Sequence, residues 1–150
     1  MTTPTASLTV RKILSCRPEK AFRAWTEPAQ LQQWFTACSG KMVAEMDVRV
    51  GGKYRFAAQH DDGGPTIYIG GEFLVIEAPR RLEFTWIYEK ESKPEWTDRS
   101  VVKVAFNPLP EGRTEIVLTH ELISDPAERE NHAKGWTRII ENMAAAMAQP

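Results

Sequence analysis

The chain has 150 residues, enough for one domain that buries roughly 68–70% of the surface its unfolded form exposes, so neither a metal nor a disulfide is needed to hold it folded. It is 42% hydrophobic and 26% charged with a net charge of -1, an ordinary globular balance that argues against nucleic acid as a partner. Met1 to Ser7 are polar, with no signal-peptide core, and no run approaches the ~20 apolar residues of a membrane span; we expect a cytoplasmic protein with no membrane partner.

Residues Leu8 to Leu14 (LTVRKIL) interleave apolar and β-branched side chains with Thr9, Arg11 and Lys12, as a strand with one wet face does. Pro18 suits the first turn of a helix, where its missing N–H does no harm, and Ala21, Phe22 and Trp25 then share one face. Glu27-Pro28 restarts the pattern: Leu31, Trp34 and Phe35 follow i, i+3, i+4, while Gln30, Gln32 and Gln33 point elsewhere. Two short helices therefore follow the first strand.

From Lys41 to Leu122 the period changes to two. Tyr54 and Phe56 alternate with Lys53 and Arg55; Ile67, Ile69, Phe73 and Val75 share a parity across Gly70-Gly71; Leu82, Phe84, Trp86 and Tyr88 alternate with Glu83, Thr85, Ile87 and Glu89. Val102, Val104 and Phe106 continue the series, Asn107-Pro108 and Glu111-Gly112 mark a turn, and Thr114, Ile116, Leu118, His120 and Leu122 form the last run. Short connections make this an antiparallel meander of about six strands, with Glu89 to Asp98 as a charged hairpin loop. Asp125-Pro126 starts a long helix, whose stripe of His132, Trp136, Ile139, Ile140, Met143 and Met147 lies opposite Arg129, Glu130, Lys134, Arg138 and Glu141.

This order is that of one α+β domain over residues 1–150, with a curved sheet wrapped around the last helix. Gly51-Gly52 and Gly70-Gly71 are the sites where the sheet can crease, since glycine accepts bulge geometry and leaves no side chain in the fold line. Such bending leaves a space between helix and sheet, lined by the inward aromatics.

PEKAFRAWTEPAQLQQWF (Pro18 to Phe35), DVRVGGKYRF (Asp47 to Phe56), GGEFLVIEAPRRLEFTW (Gly70 to Trp86) and GW (Gly135-Trp136) occur in that order over nearly the whole chain. In these stretches the chain resembles the START-like (SRPBCC) superfamily with its helix-grip, or Bet v 1-like, fold, and specifically the branch of the activator of the heat-shock-protein-90 ATPase. The resemblance implies a cavity between the C-terminal helix and the sheet, of the kind that holds lipids, polyketides or hormones elsewhere in the superfamily and hosts chemistry in some members. Three functions stay open: a binding protein for an apolar or aromatic small molecule, a chaperone accessory module, and an enzyme similar to polyketide cyclases. The state is expected to be monomer or homodimer.

The candidate ligand-binding residues are Trp34, Phe35, Tyr54, Phe56, Phe73, Phe84, Trp86, His120 and Trp136; the same aromatics at this spacing also suit a continuous packed core. His120 and His132 could orient a carbonyl or act as a base, against the commoner role of a hydrogen-bonded core histidine. We assign no catalytic residue, no cofactor and no metal. His60-Asp61-Asp62 runs into Gly63-Gly64-Pro65 and reads as a hairpin tip, Cys16 and Cys38 read as free thiols, and Glu89, Glu91 and Glu95 are not paired as acid and base. Lys53 and Arg55 read as a solvent face.

Overall fold

The computed structural model describes residues 6–35, 42–59, 66–89, 100–123 and 129–148, and within them the side chains of Ile67, Tyr88 and Glu89 lie outside the description. The elements run β1 (Ala6–Leu14), α1 (Pro18–Thr26), α2 (Pro28–Trp34), β2 (Met42–Met46), β3 (Lys53–Ala58), β4 (Ile67–Glu77), β5 (Arg81–Glu89), β6 (Ser100–Leu109), β7 (Arg113–Ile123) and α3 (Arg129–Met147). One antiparallel sheet carries the strands in the order β1-β7-β6-β5-β4-β3-β2, so the six later strands form a meander and the first is added beside the last. Asp125-Pro126, Cys38, the His60-Asp61-Asp62 tip and the charged loop with Glu91 and Glu95 lie outside the described residues.

Both short helices begin with proline at the first turn, as the sequence predicts, and each turns its apolar face onto the sheet side: Ala21, Phe22 and Trp25 from α1, Leu31 and Trp34 from α2. Phe22 reaches β6, where its ring meets Phe106 edge-on at 5.5 Å between centroids. In α3 the buried stripe is Trp136, Ile139, Ile140, Met143 and Met147, with His132 half-buried one turn before it. Burying one such side chain stabilises the fold by about 1.5–3 kcal/mol, which explains how α1 and α2, too short to persist alone, are held.

Of the two glycine pairs expected to crease the sheet, only Gly70-Gly71 lies within a strand, β4; Gly51-Gly52 falls in the turn between β2 and β3, with Gly51 at φ 85°, and both places bring backbone into close approach. A Cβ on Gly71 would stand 2.0 Å from the Thr85 carbonyl oxygen, and one on Gly52 would stand 2.1 Å from that of Asp47. At the first of these points the β4–β5 ladder is replaced by side chains: the Glu72 N–H donates to Thr85 Oγ1 at 2.9 Å, and the Tyr54 hydroxyl donates to the Thr85 carbonyl.

Three details of the expected pattern are corrected. A register shift between Phe73 and Val75 sets Val75 opposite Glu83 and Ile76 opposite the buried Leu82, so Ile76, not Val75, continues the inward parity of Phe73. Leu122 does not close the inward run of β7; it has φ 59° and is 52% exposed, and Ile123 takes the buried place. Asn107-Pro108 is no turn, since Pro108 pairs with Thr114 inside the β6–β7 ladder and the reversal occurs at Pro110–Gly112.

Candidate functional site

The concave side of the sheet, α1, α2 and α3 enclose one aromatic cluster. Tyr54 and Phe56 point inward from β3, Phe73 from β4, Phe84 and Trp86 from β5, while Lys53 and Arg55 face solvent. All nine candidate residues come together here, none more than 6% exposed. Trp25 of α1 belongs with them although its sequence position marked only a helix face. Its ring meets Trp34 edge-on at 5.0 Å, Phe35 at 5.8 Å and Trp136 in a stacked arrangement at 6.4 Å. Trp136 in turn lies 4.8 Å from Trp86. The rings occupy the space expected between helix and sheet. Among the described residues a void of ≈ 10 Å³ remains beside them, lined by Trp25, Leu31, Tyr54, Phe56, Phe73 and Phe84 among others, the least that holds a water molecule.

Three indole N–H groups in this interior, those of Trp25, Trp34 and Trp86, have no acceptor among the described residues. The fourth buried indole is paired. Trp136 Nε1–H donates to His120 Nδ1 at 3.0 Å, which leaves the imidazole proton on Nε2; Nε2 donates to Ser100 Oγ at 2.7 Å, and the Ser100 hydroxyl donates to the Trp86 carbonyl at 3.1 Å. Every donor in that relay points one way. Burial, and then the His132 ring with its centroid 4.8 Å away, pull the His120 pKa down to about 3, so the imidazole is neutral. A general base needs a free lone pair and a pKa near the working pH. His120 has neither, and the serine proton it would have to take is directed at a carbonyl. Ser100 went unnoticed in the sequence because serine at a strand start has many bland uses, and only its distance to His120 singles it out.

The remaining polar groups of the interior are also satisfied. The Thr114 hydroxyl donates to the Cys16 carbonyl at 2.7 Å, and burial raises the Cys16 thiol pKa despite the nearby Lys20, away from nucleophilic reactivity. Burial likewise pushes the Tyr54 phenol well above its ordinary value. Among the described residues no group of three His, Cys, Asp or Glu could hold a metal ion, and no helix is long and apolar enough to cross a membrane. Outside the cluster, Val48, Val50 and Leu74 are exposed apolar side chains around the point where Gly51 and Gly52 hydrogen-bond Phe73.

The sheet, the helix order and the enclosed aromatic interior have counterparts. The family described as Activator of Hsp90 ATPase homolog 1-like protein matches residues 15–148. This chain belongs to that family. Solved structures share its fold: protein CV1439 from Chromobacterium violaceum at 24% identity, covering 96% of this chain and 98% of that one with a TM-score of 0.82; a protein from Arthrobacter aurescens at 21%, covering 100% and 90%, TM-score 0.81; and CalU16 from Micromonospora echinospora at 22%, covering 95% and 76%, TM-score 0.69. At these identities the likeness carries the helix-grip fold and no particular activity. No curated protein matches the chain. The family and fold are those of a binding or accessory domain.

Proposed function

We propose that this member of the family binds an apolar or aromatic small molecule in the interior between the sheet and α3. The observation that carries the reading is the wall itself: rings from α1, α2, β3, β4, β5 and α3 converge on one buried cluster, where an ordinary core of this size draws mainly on aliphatic side chains. Aromatic side chains present large, rigid faces on which a flat ligand stacks. Because the void is small, binding requires some of these rings to change rotamer.

The test is native mass spectrometry of the protein purified from its own host, followed by thermal shift with a panel of flat aromatic and isoprenoid compounds. A retained compound, or a melting temperature raised by a ligand in the panel, supports the reading. No retained mass together with no shift from any compound overturns it.

One observation favours a second reading, an accessory module that docks on a chaperone. Val48, Val50 and Leu74 form an exposed apolar site at one end of the sheet, and the family's description names the activator of a chaperone ATPase. Here Val50→Asp with Leu74→Asp should abolish stimulation of the Hsp90 ATPase, and unchanged stimulation, or none from the unaltered chain, sinks it. The polyketide-cyclase-like reading would need a base other than His120, whose relay with Ser100 offers no proton acceptor.

A further inference from the structure

Phe35 ends α2. Its φ and ψ of -83° and 74° have left the helix, although its N–H still donates to the Leu31 carbonyl at 2.9 Å. From there its side chain enters the middle of the tryptophans: the ring centroid lies 5.8 Å from Trp25, 5.5 Å from Trp34, 6.3 Å from Trp86 and 5.7 Å from Trp136. Three of those four indoles are the ones whose N–H groups lack an acceptor among the described residues. Elsewhere in the same interior the polar groups are paired, including Tyr54, Thr114, Ser100 and His120. Buried donors are rarely left unpaired in native cores, and each one costs free energy that a phenylalanine in the same place would not. Among the described residues the unpaired side-chain donors are thus confined to indoles that surround one ring.

We infer that Phe35 holds the place of a ligand's own ring, and that the ligand is a planar molecule, of phenyl size or larger, whose carbonyl or phenolic oxygens accept hydrogen bonds from the indoles of Trp25, Trp34 and Trp86. This deepens the small-molecule reading and rests on it. A pure hydrocarbon would gain the stacking faces but leave the three donors as they are; an oxygen-bearing ring gains both. Phe35 is suited to yield because it stands past the last turn of α2, its φ and ψ already out of the helix, and a change of its side-chain rotamer would free its place among the indoles. In the unaltered protein the cost of displacing it lowers the apparent affinity, as for any site whose competent state is a minor one.

Phe35→Ala opens that volume, and two probes of one shape then separate the terms: acetophenone, with a carbonyl, and α-methylstyrene, with a methylene in its place. Affinities are read by titration, and the indole N–H signals by two-dimensional ¹H–¹⁵N spectra. Acetophenone is expected to bind Phe35→Ala about tenfold more tightly than the hydrocarbon, the worth of one neutral hydrogen bond. At least one of the Trp25, Trp34 and Trp86 indole protons should move downfield, and the preference should shrink when that tryptophan is replaced by phenylalanine. Equal affinities with unmoved indole protons would overturn the acceptor inference and leave the small-molecule reading standing. Binding of neither probe by a folded Phe35→Ala would overturn the role given to Phe35, while a compound retained from the host by the unaltered protein would still uphold the broader reading. Should Phe35→Ala fail to fold, Phe35→Leu retains much of the packing and is subject to the same outcomes.

Discussion

His120 shows how much one buried side chain can commit. In the unfolded chain its imidazole titrates near the ordinary value of 6.5, and in the folded chain burial and His132 bring it to about 3. Above the unfolded value both states are neutral and the stability is fully present. Below it the unfolded chain takes up a proton that the folded one refuses, so stability falls by about 1.4 kcal/mol per pH unit until the folded value is reached. Urea unfolding at about pH 7 and about pH 5, where few carboxylates titrate, should show this loss, and His120→Gln should flatten it; an unchanged slope would tell against the relay. Leu122 makes the opposite case. Its φ of 59° costs a side-chain-bearing residue about 1–2 kcal/mol, and at 52% exposure the leucine recovers little by packing. Leu122→Gly relieves the strain at an entropic cost of about 0.5–1 kcal/mol, so a net gain of about 0.5–1 kcal/mol is expected in the denaturation midpoint, with none from Leu122→Ala.

At the scale of elements, two glycines make opposite predictions. Gly71→Ala drives a Cβ into the Thr85 carbonyl, backbone that cannot swing aside, and should cost about 3 kcal/mol or more, or prevent folding. Gly135 lies in α3, where a Cβ meets nothing within 4 Å, and Gly135→Ala should raise stability by about 1 kcal/mol. Thermal melts of the two variants check both signs. The contrast also shows what was legible in the sequence. Period-two alternation revealed the strands, and proline at the helix starts revealed α1 and α2, because those signals depend on each segment alone. The inward turn of Ile76 and the outward turn of Leu122 were not legible: a bulge is decided by the partner strand, here by Glu83 and Leu82 opposite the shift and by Ser7 and Leu8 opposite the other. The same limit applies to the site. Aromatic positions could be read off, but that they would fill their own enclosure, with Trp25 added and Ser100 in the relay, depends on how far two short helices sink toward the sheet. Both open edges of that sheet are guarded by side chains no pattern announces, since Gln32 Oε1 accepts the Ala44 N–H at 2.8 Å and Arg129 Nε donates to the Ser7 carbonyl at 2.7 Å.

For the whole molecule the question is whether a sheet, two short helices and a long one unfold together. The four buried indoles come from four elements, Trp25 from α1, Trp34 from α2, Trp86 from β5 and Trp136 from α3, and they meet in one cluster continuous with the buried side chains of the other strands. Releasing α3 would expose Trp136 and strip His120 of its partner, leaving an imidazole nitrogen of β7 unpaired, a cost of about 1–3 kcal/mol beyond the lost apolar burial. Releasing α1 or α2 would open the same cluster from the other side. No element can leave without exposing rings that belong to the rest, and we expect a single cooperative transition. The measurement is a thermal or urea melt followed both by tryptophan emission, with Trp96 replaced by phenylalanine so that Trp25, Trp34, Trp86 and Trp136 alone report, and by far-ultraviolet circular dichroism. Coincident curves are the expected outcome. An emission change that precedes loss of the sheet signal would mean that the helices detach from an intact sheet, and the aromatic interior would then be a surface that opens in the native range instead of a core that holds the molecule together.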